Sequence, residues 1–376
     1  MPGMIDGHIH ASQYAYVGTG SDLPLLDWLQ EYTFPAEMKY EALTYATDYY
    51  TRVVRQTLKN GTTTAAYFAT IHTDASLELC RIADSIGQRV FVGKVNMDTP
   101  LHETYKETTE ESLQETKRFL KELESRKYQL VKPIITPRFA LSTTRDLLKG
   151  LGDLAKRYDV AVQTHIQENH EEVRAVMQHF PEYETYTAIY DDNGLLTNQT
   201  FLAHGIYLSD DELEVVKKRG SSIIHCPNSN LSIFSGLLDV RNLLDKNVKV
   251  CLGTDVAGGY SVSILDAIRR ALHVSNTLRI SRGESYRVIT YKDAFRLATL
   301  DGARALGLGD EIGNFEVGKS FDALIVDVGA TGSHIQYDSE TPTKELVEKF
   351  IFCGDDRNIS SVYVNGRNLS EETLAK

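Results

Sequence analysis

The sequence predicts an α/β fold, a (β/α)8 TIM-type barrel with a small C-terminal β segment, and three observations support it. Short β-rich runs recur along the 376 residues, helical patterns separate eight of them, and strands with tight turns follow residue 308. Strands separated by helices pair in parallel, and eight such units fit a closed barrel. An open doubly wound sheet is the alternative, but no G-x-G-x-x-G motif follows any run.

The eight barrel strands are predicted from short runs rich in β-branched and apolar residues. They lie at 2–8, 62–70, 89–97, 128–136, 159–166, 200–205, 221–226 and 248–255. Amphipathic or charged helical patterns lie between them at 73–86, 107–126, 144–157 and 169–180. A further helix is expected near each of the last three strands.

The pattern changes after residue 308. The runs 313–328 and 359–369 contain Gly or Asn-Gly turns, which is typical of β-hairpins. We therefore predict two parts, a barrel over 1–308 and a C-terminal β segment over 309–376. The second part has few residues for a core of its own, so we expect it to pack on the barrel or on a partner.

Composition excludes several classes of partner. The net charge is −12 and no basic patch is present, which argues against nucleic acid and anionic membranes as partners. No apolar run approaches the roughly 20 residues that cross a bilayer. The four cysteines are widely spaced, at Cys80, Cys226, Cys251 and Cys353, so a disulfide framework is not expected. These features predict a cytoplasmic protein.

Five polar residues lie at the carboxyl ends of four predicted strands. His8 and His10 end the first strand and share one face of it, because side chains two apart point the same way. His165, His204 and Asp255 end three other strands, where barrel enzymes place their reacting groups. One or two such residues could be buried, hydrogen-bonded polar groups, but five indicate a metal site. Imidazole-rich ligands suit Zn²⁺ or Fe²⁺ and do not suit Ca²⁺ or Mg²⁺.

Two further residues beside this cluster are candidates for chemistry. Glu168 follows His165 by three residues, so its carboxylate could take a proton from metal-bound water and deliver it to a leaving group. The alternative is that Glu168 caps the helix that begins near Asn169. His225, at the end of the seventh strand, could contact substrate or orient another ligand.

Three residues are candidates for substrate binding at the mouth of the barrel. Arg138 and Phe139 follow the fourth strand, and Gln13 follows the first. An arginine can hold a carbonyl oxygen or an anion, and a phenylalanine can stack on a flat ring. A solvated arginine beside a core phenylalanine remains the alternative.

Several stretches together resemble the guanine deaminases of the amidohydrolase superfamily. The resemblance runs from Pro2 to about Asn368 and rests on "PGMIDGHIHASQ", "NGTTTAAYFATIH", "TPRFALS", "HIQEN", "LAHG", "HCPNSN" and "LGTDVAGGYS". The histidine and aspartate set is shared across the superfamily. The stretches "DLPLLDWLQEYTFPAE", "PRFALS" and "GTDVAGGYS" are more specific to guanine deaminases.

The resemblance implies a function and a role for each candidate residue. The reaction would be hydrolytic deamination of guanine to xanthine and ammonia, with water as the second substrate, and the protein would be a homodimer. One zinc per chain would be held by His8, His10, His165, His204 and Asp255. Asp255 would accept a proton as hydroxide attacks C2, and Glu168 would protonate N3 and then the departing amine. Substrate contacts would come from Gln13, Arg138, Phe139, Glu168, His204 and His225.

Two alternatives and one departure accompany this interpretation. The same chemistry on a pterin, a triazine or an oxidised guanine is the nearest alternative, and a non-catalytic scaffold is another. The H-x-E and P-C-x-x-C zinc deaminases are excluded, because "NSN" follows Cys226 and Pro227. Members of the family usually carry a further segment before the first strand, so we expect an incomplete β-sandwich with exposed apolar surface around 313–369.

Overall fold

The computed structural model describes residues 1–370, so the end of the predicted C-terminal segment, 371–376, lies outside the described residues. The strands are β1 (Met4–His10), β2 (Thr62–Phe68), β3 (Arg89–Gly93), β4 (Val95–Asn96), β5 (Val131–Pro137), β6 (Ala161–Ile166), β7 (Thr200–His204), β8 (Ser222–His225), β9 (Lys249–Leu252), β10 (Ala323–Val326), β11 (Ile359–Val364) and β12 (Arg367–Asn368).

The α-helices lie mostly between these strands. They are α1 (Leu25–Trp28), α2 (Phe34–Met38), α3 (Leu43–Lys59), α4 (Thr73–Ile86), α5 (Thr109–Arg126), α6 (Arg145–Tyr158), α7 (His170–His179), α8 (Tyr186–Asp192), α9 (Asp210–Arg219), α10 (Pro227–Ser232), α11 (Val240–Asp245), α12 (Ile264–Arg282), α13 (Tyr291–Leu297), α14 (Leu300–Ala305) and α15 (Thr343–Cys353). Among the helices so described, none is both long and apolar enough to cross a membrane.

The predicted (β/α)8 TIM-type barrel is confirmed. All eight predicted strands form and pair in parallel in the order β1-β2-β3-β5-β6-β7-β8-β9, with β4 pairing with β5. The ends of this row approach each other, since the Asp255 N–H donates to the His8 carbonyl at 2.9 Å. The carboxyl ends of the strands therefore meet at one mouth of a nearly closed barrel.

The third predicted strand is interrupted. Residues 89–97 form β3 and the short β4, with Lys94 between them. The Lys94 ammonium is fully buried and lies 2.6 Å from the Glu107 carboxylate, while the Lys94 carbonyl accepts from the Thr136 hydroxyl. At this residue, an ion pair and a side-chain hydrogen bond thus take the place of the backbone hydrogen bonds between strands.

The C-terminal segment differs from the predicted hairpin module. The strand predicted over 313–328 is confined to β10, because Gly313 and Gly318 adopt φ of +99° and +96° and turn the chain before it. Helix α15 was not predicted at all. The strands β10, β11 and β12 form a small antiparallel sheet, as expected. Phe315 and Val317 are exposed, in agreement with the expected apolar surface.

The C-terminal sheet is attached to the barrel. Pro2 forms a β-bridge with Ala323, and the N-terminal amine donates to the Leu324 carbonyl at 2.8 Å. Arg89 on β3 pairs with Asp322 at 3.0 Å, and both side chains are nearly buried. Apolar residues of the two parts belong to one continuous core. The domain boundary at residue 308 stays a prediction.

Candidate active site

The barrel mouth brings the predicted ligands together. The ligand atoms of His8, His165, His204 and Asp255 all lie within 4.8 Å of one another. Asp255 Oδ1 is 3.1 Å from His8 Nε2 and 3.5 Å from His10 Nε2, and Asp255 Oδ2 is 3.6 Å from His204 Nε2. His10 Nε2 and His165 Nε2 are 3.1 Å apart. Three strand ends and the loop after β9 thus bring four ligand atoms around one point, and His10 lies beside Asp255 and His165.

Neighbouring groups orient three of the imidazoles. The Nδ1 atoms of His8, His165 and His204 lie 2.6, 2.6 and 2.8 Å from Gln163 Oε1, the Arg138 carbonyl and Asn230 Oδ1. An oxygen at Nδ1 requires the proton there, so each Nε2 carries a lone pair toward the cluster. The sequence did not reveal Gln163 and Asn230, although both lie in or beside motifs quoted above.

Burial keeps the cluster in the protonation states that metal ligands need. Desolvation lowers the pKa of His10, His165 and His204, so these rings are neutral at neutral pH. Burial opposes ionisation of Asp255, but the surrounding histidines, His8 first among them, lower the pKa of this carboxyl. The set therefore offers lone pairs and one negative charge.

The geometry of the cluster fits a transition metal. Two atoms that each lie about 2.0–2.1 Å from one ion are at most about 4.2 Å apart, and the four pair distances given above, 3.1–3.6 Å, are within this limit. Among the described residues, His204 Nε2 has no hydrogen-bond partner although it is buried. A buried lone pair without a donor is costly, and a cation would satisfy it.

Asp6 holds the loop that carries Asp255. The buried Asp6 carboxylate accepts from the His8 N–H at 3.2 Å, from the Thr254 N–H at 3.0 Å and from the Thr254 hydroxyl. It therefore ties the end of β1 to the loop after β9. Burial raises the pKa of Asp6 to about 7. Sequence reasoning gave Asp6 no role, because an aspartate inside a strand shows its partners only after folding.

Glu168 lies directly beside the cluster. Its Oε2 atom is 3.4 Å from His204 Nε2, and its Oε1 atom accepts from the Ser235 hydroxyl at 3.0 Å. Burial, followed by the charge of Asp255, raises the pKa of Glu168 to about 8. A carboxyl group that titrates near neutrality can both take and give a proton. The helix cap is Asn169, whose side chain accepts from the Glu171 N–H, so the alternative role of Glu168 as that cap is wrong.

A cavity lies beside the cluster, at the mouth of the barrel. The predicted substrate-binding residues Gln13, Arg138, Phe139 and Glu168 line it, and so does Asp255. Apolar side chains close another wall, among them Leu25, Trp28, Leu29 and Ile233. The lining is mostly apolar and includes a few convergent polar groups, as in small-molecule sites.

Glu37 is a buried residue of the site that sequence reasoning missed. Its carboxylate accepts from Arg138 at 2.8 and 3.1 Å, from Gln13 Nε2 at 3.3 Å and from the Tyr105 hydroxyl at 2.7 Å. Arg138 is thus paired and buried, which argues against the solvated alternative. Glu37 is the last residue of the stretch "DLPLLDWLQEYTFPAE", which was the available signal.

His225 remains without an assigned contact. It is fully buried at the end of β8, and neither ring nitrogen has a hydrogen-bond partner within residues 1–370. It does not appear among the described residues that line the cavity. Burial lowers its pKa to about 3, so its ring is neutral. Its predicted substrate contact therefore stays a prediction.

Comparison with known proteins places this site in a family. Residues 1–369 match the Amidohydrolase family model. Guanine deaminase of Rattus norvegicus is 56% identical over 98% of this chain and 82% of its own length. The crystal structure of guanine deaminase from C. acetobutylicum with guanine in its active site has a TM-score of 0.93 and 37% identity, over 98% of this chain and 86% of that one.

A more distant solved structure carries a metal. An adenosine deaminase from Xanthomonas campestris with bound zinc has a TM-score of 0.82 and 26% identity, over 98% of this chain and 79% of that one. Family match, identity and fold agree over almost the whole described chain. The chain belongs to the amidohydrolase family and, within that family, to the guanine deaminases.

Proposed function

We propose that this protein hydrolyses guanine to xanthine and ammonia. The observation that carries the proposal is one cavity in which a ligand cluster fit for a metal, a carboxyl group that titrates near neutrality and a paired arginine meet. Guanine deaminases from other organisms, one with guanine bound, support guanine as the substrate.

The groups of the cavity match the polar edges of guanine. With C2 directed at the histidine cluster, N3 faces Glu168. The opposite edge, N1–H and O6, then faces Gln13 and Arg138, and Phe139 lies against the ring. Apolar walls exclude bulk water and strengthen these polar contacts.

Zinc is the metal that we infer for the cluster, one ion per chain, held by His8, His10, His165, His204 and Asp255. The nitrogen-rich donor set and the zinc of the X. campestris protein support this choice. When bound, zinc would lower the pKa of a coordinated water to about 7, so that a nucleophile is available at neutral pH.

Two carboxyl groups of the chain would handle the protons. Asp255, which lines the cavity beside the histidines, would accept one proton of the attacking water as the C2–O bond forms. Glu168 would take the other proton of this water and deliver it to N3. The proton held by Asp255 would then pass through Glu168 to the amino group, so that the C–N bond breaks, the C2 carbonyl forms and ammonia leaves. The Ser235 hydroxyl holds one oxygen of Glu168 and leaves the other free for this transfer.

An assay of purine turnover tests the proposal. We expect conversion of guanine to xanthine with one ammonia released per guanine, and a loss of about 10²–10⁴-fold in Glu168→Gln. Glu171→Gln is the matched control, because Glu171 lies three residues along and its side chain is 63% exposed. Turnover of a pterin, triazine or oxidised guanine in place of guanine would contradict the substrate assignment. A folded, inert protein would favour the scaffold alternative.

Two further expectations concern the oligomeric state of the protein and its location in the cell. We infer a homodimer from the family resemblance, and a cytoplasmic location from the widely spaced cysteines and the composition. Light scattering coupled to size-exclusion chromatography tests the first expectation, and fractionation of the source cells tests the second.

A further inference from the structure

We propose that Glu37 is a positioning residue that makes this site selective for purines with an oxygen at C6 over purines with an amino group at C6. The inference rests on the proposed function, because it concerns how the same cavity reads its substrate. Glu37 does not line the cavity among the described residues; it acts through Gln13 and Arg138, which do.

The Glu37 carboxylate is a fully buried hub. Its Oε1 atom accepts from Arg138 Nη2 at 3.1 Å and from Gln13 Nε2 at 3.3 Å. Its Oε2 atom accepts from Arg138 Nη1 at 2.8 Å and from the Tyr105 hydroxyl at 2.7 Å. Its side chain has no exposed surface. Four donors therefore converge on one charge that water does not reach.

This hub gives the Gln13 amide a single orientation. Gln13 Nε2 donates to Glu37, and Gln13 Oε1 accepts from the Ala257 N–H at 3.0 Å. A flipped amide would place its oxygen against a carboxylate and its NH2 group against an N–H donor. Both contacts would become repulsive, so the flip is excluded while Glu37 is ionised.

The same carboxylate fixes Arg138. The two bonds form a bidentate pair, and the guanidinium also lies 5.3 Å from the centre of the Phe34 ring. Arg138 is fully buried, so its charge depends on Glu37 for compensation. The cavity consequently presents a fixed arginine donor beside a fixed glutamine acceptor.

These fixed groups match one arrangement at positions 1 and 6 of a purine. Guanine offers a donor at N1 and an acceptor at O6, which suit Gln13 Oε1 and Arg138. A 6-aminopurine offers the reverse, an acceptor at N1 and a donor at C6. The Arg138 donor would then face the amino group at C6, and the Gln13 acceptor would face N1, with no water between them. A site whose buried groups are arranged to hydrogen-bond one substrate discriminates strongly against such a ligand.

The test compares guanine with 2,6-diaminopurine, which carries the same leaving group at C2 and an amino group at C6. In the parent protein we expect kcat/KM for guanine to exceed that for 2,6-diaminopurine by about 10³-fold or more. In Glu37→Gln, Gln13 and Arg138 lose their fixed orientation. We expect this preference to fall by at least about 10-fold, mainly because the value for guanine falls.

Glu107→Gln is the matched control. Glu107 is another largely buried carboxylate in an ion pair, 2.6 Å from Lys94, and it does not line the cavity among the described residues. We expect this variant to lose stability and to keep the parent preference between the two substrates. Glu37→Asp, which keeps the charge and shortens the reach, should give a preference between those of the parent and Glu37→Gln.

The outcomes separate this inference from the proposed function. A parent protein that does not deaminate guanine would contradict the proposed function itself. An active parent whose Glu37→Gln variant loses both substrates by the same factor would overturn the inference and leave the function standing. If Glu37→Gln does not fold, Glu37→Asp decides, and a preference equal to that of the parent overturns the role of Glu37.

Discussion

At the scale of single residues, the site depends on buried polar groups that orient one another. The three Nδ1 contacts to Gln163, the Arg138 carbonyl and Asn230 determine which nitrogen of each imidazole faces the cluster. The members of the cluster could be predicted, because residue type and strand position reveal them. Their supports could not, since Gln163 lies 155 residues from His8 in sequence and the contact exists only after folding.

Removal of one such support should weaken metal binding. Asn230→Ala deletes the acceptor at 2.8 Å from His204 Nδ1 and leaves the ring free to rotate or to change its tautomer. We expect zinc affinity to fall by about 10–100-fold, as for other supports of metal-bound histidines. Competition with a fluorescent chelator measures it. An affinity equal to that of the parent would show that Asn230 does not orient His204.

At the scale of elements, the helices could be predicted more closely than the loops. Helix α4 has the predicted bounds 73–86, because its apolar positions recur at helical spacing and Gly87, at φ +102°, ends it. Helix α15 was missed, since it follows a stretch with turn residues and its apolar face is short. The loops that carry Asp255 and Ser235 depend on contacts from other strands, which no local pattern reveals.

Two glycines of helix α6 give a prediction at this scale. A Cβ added at Gly152 would lie 1.9 Å from the Asn193 carbonyl oxygen, which is rigid backbone. A Cβ at Gly150 would meet only the end of the Leu113 side chain at 2.6 Å, which can move. We expect Gly152→Ala to lower the free energy of unfolding by about 1–3 kcal/mol.

The companion variant makes this comparison internal to one helix. Gly150→Ala should change the free energy of unfolding by less than about 1 kcal/mol, because the higher helix propensity of alanine offsets the cost of moving the Leu113 side chain. Urea titration followed by far-ultraviolet circular dichroism measures both variants. Equal destabilisation by the two would contradict the close approach of α6 to Asn193.

At the scale of the whole molecule, the C-terminal segment is part of the barrel's packing. The sequence predicted a β segment that packs on the barrel, and it left open how the two parts are joined. The joint includes Asp322, whose carboxylate pairs with Arg89 and accepts from the Asn365 N–H at 2.7 Å. Residues 322 and 89 are far apart in sequence, so the joint was invisible to local patterns.

Loss of this joint should destabilise the protein without altering its chemistry. Asp322→Ala leaves the buried Arg89 guanidinium with only the half-exposed Glu311 carboxylate, 3.6 Å away, and we expect the free energy of unfolding to fall by up to about 3–5 kcal/mol. The kcat for guanine should stay within about 2-fold of the parent value, because Asp322 does not line the cavity and changes at sites far apart usually act independently. Calorimetry and steady-state kinetics measure the two quantities. A large loss of kcat at unchanged stability would contradict this assignment.

The histidine cluster at the barrel mouth is the feature that we expect to make this chain a metal-dependent guanine deaminase. Xanthine formation by chelator-treated protein, followed during titration with zinc, tests it most directly. We predict no activity before addition and a rise that saturates at about one zinc per chain, as expected for a single site. Full guanine turnover by protein shown to be free of metal, or none at any zinc concentration, would contradict the claim.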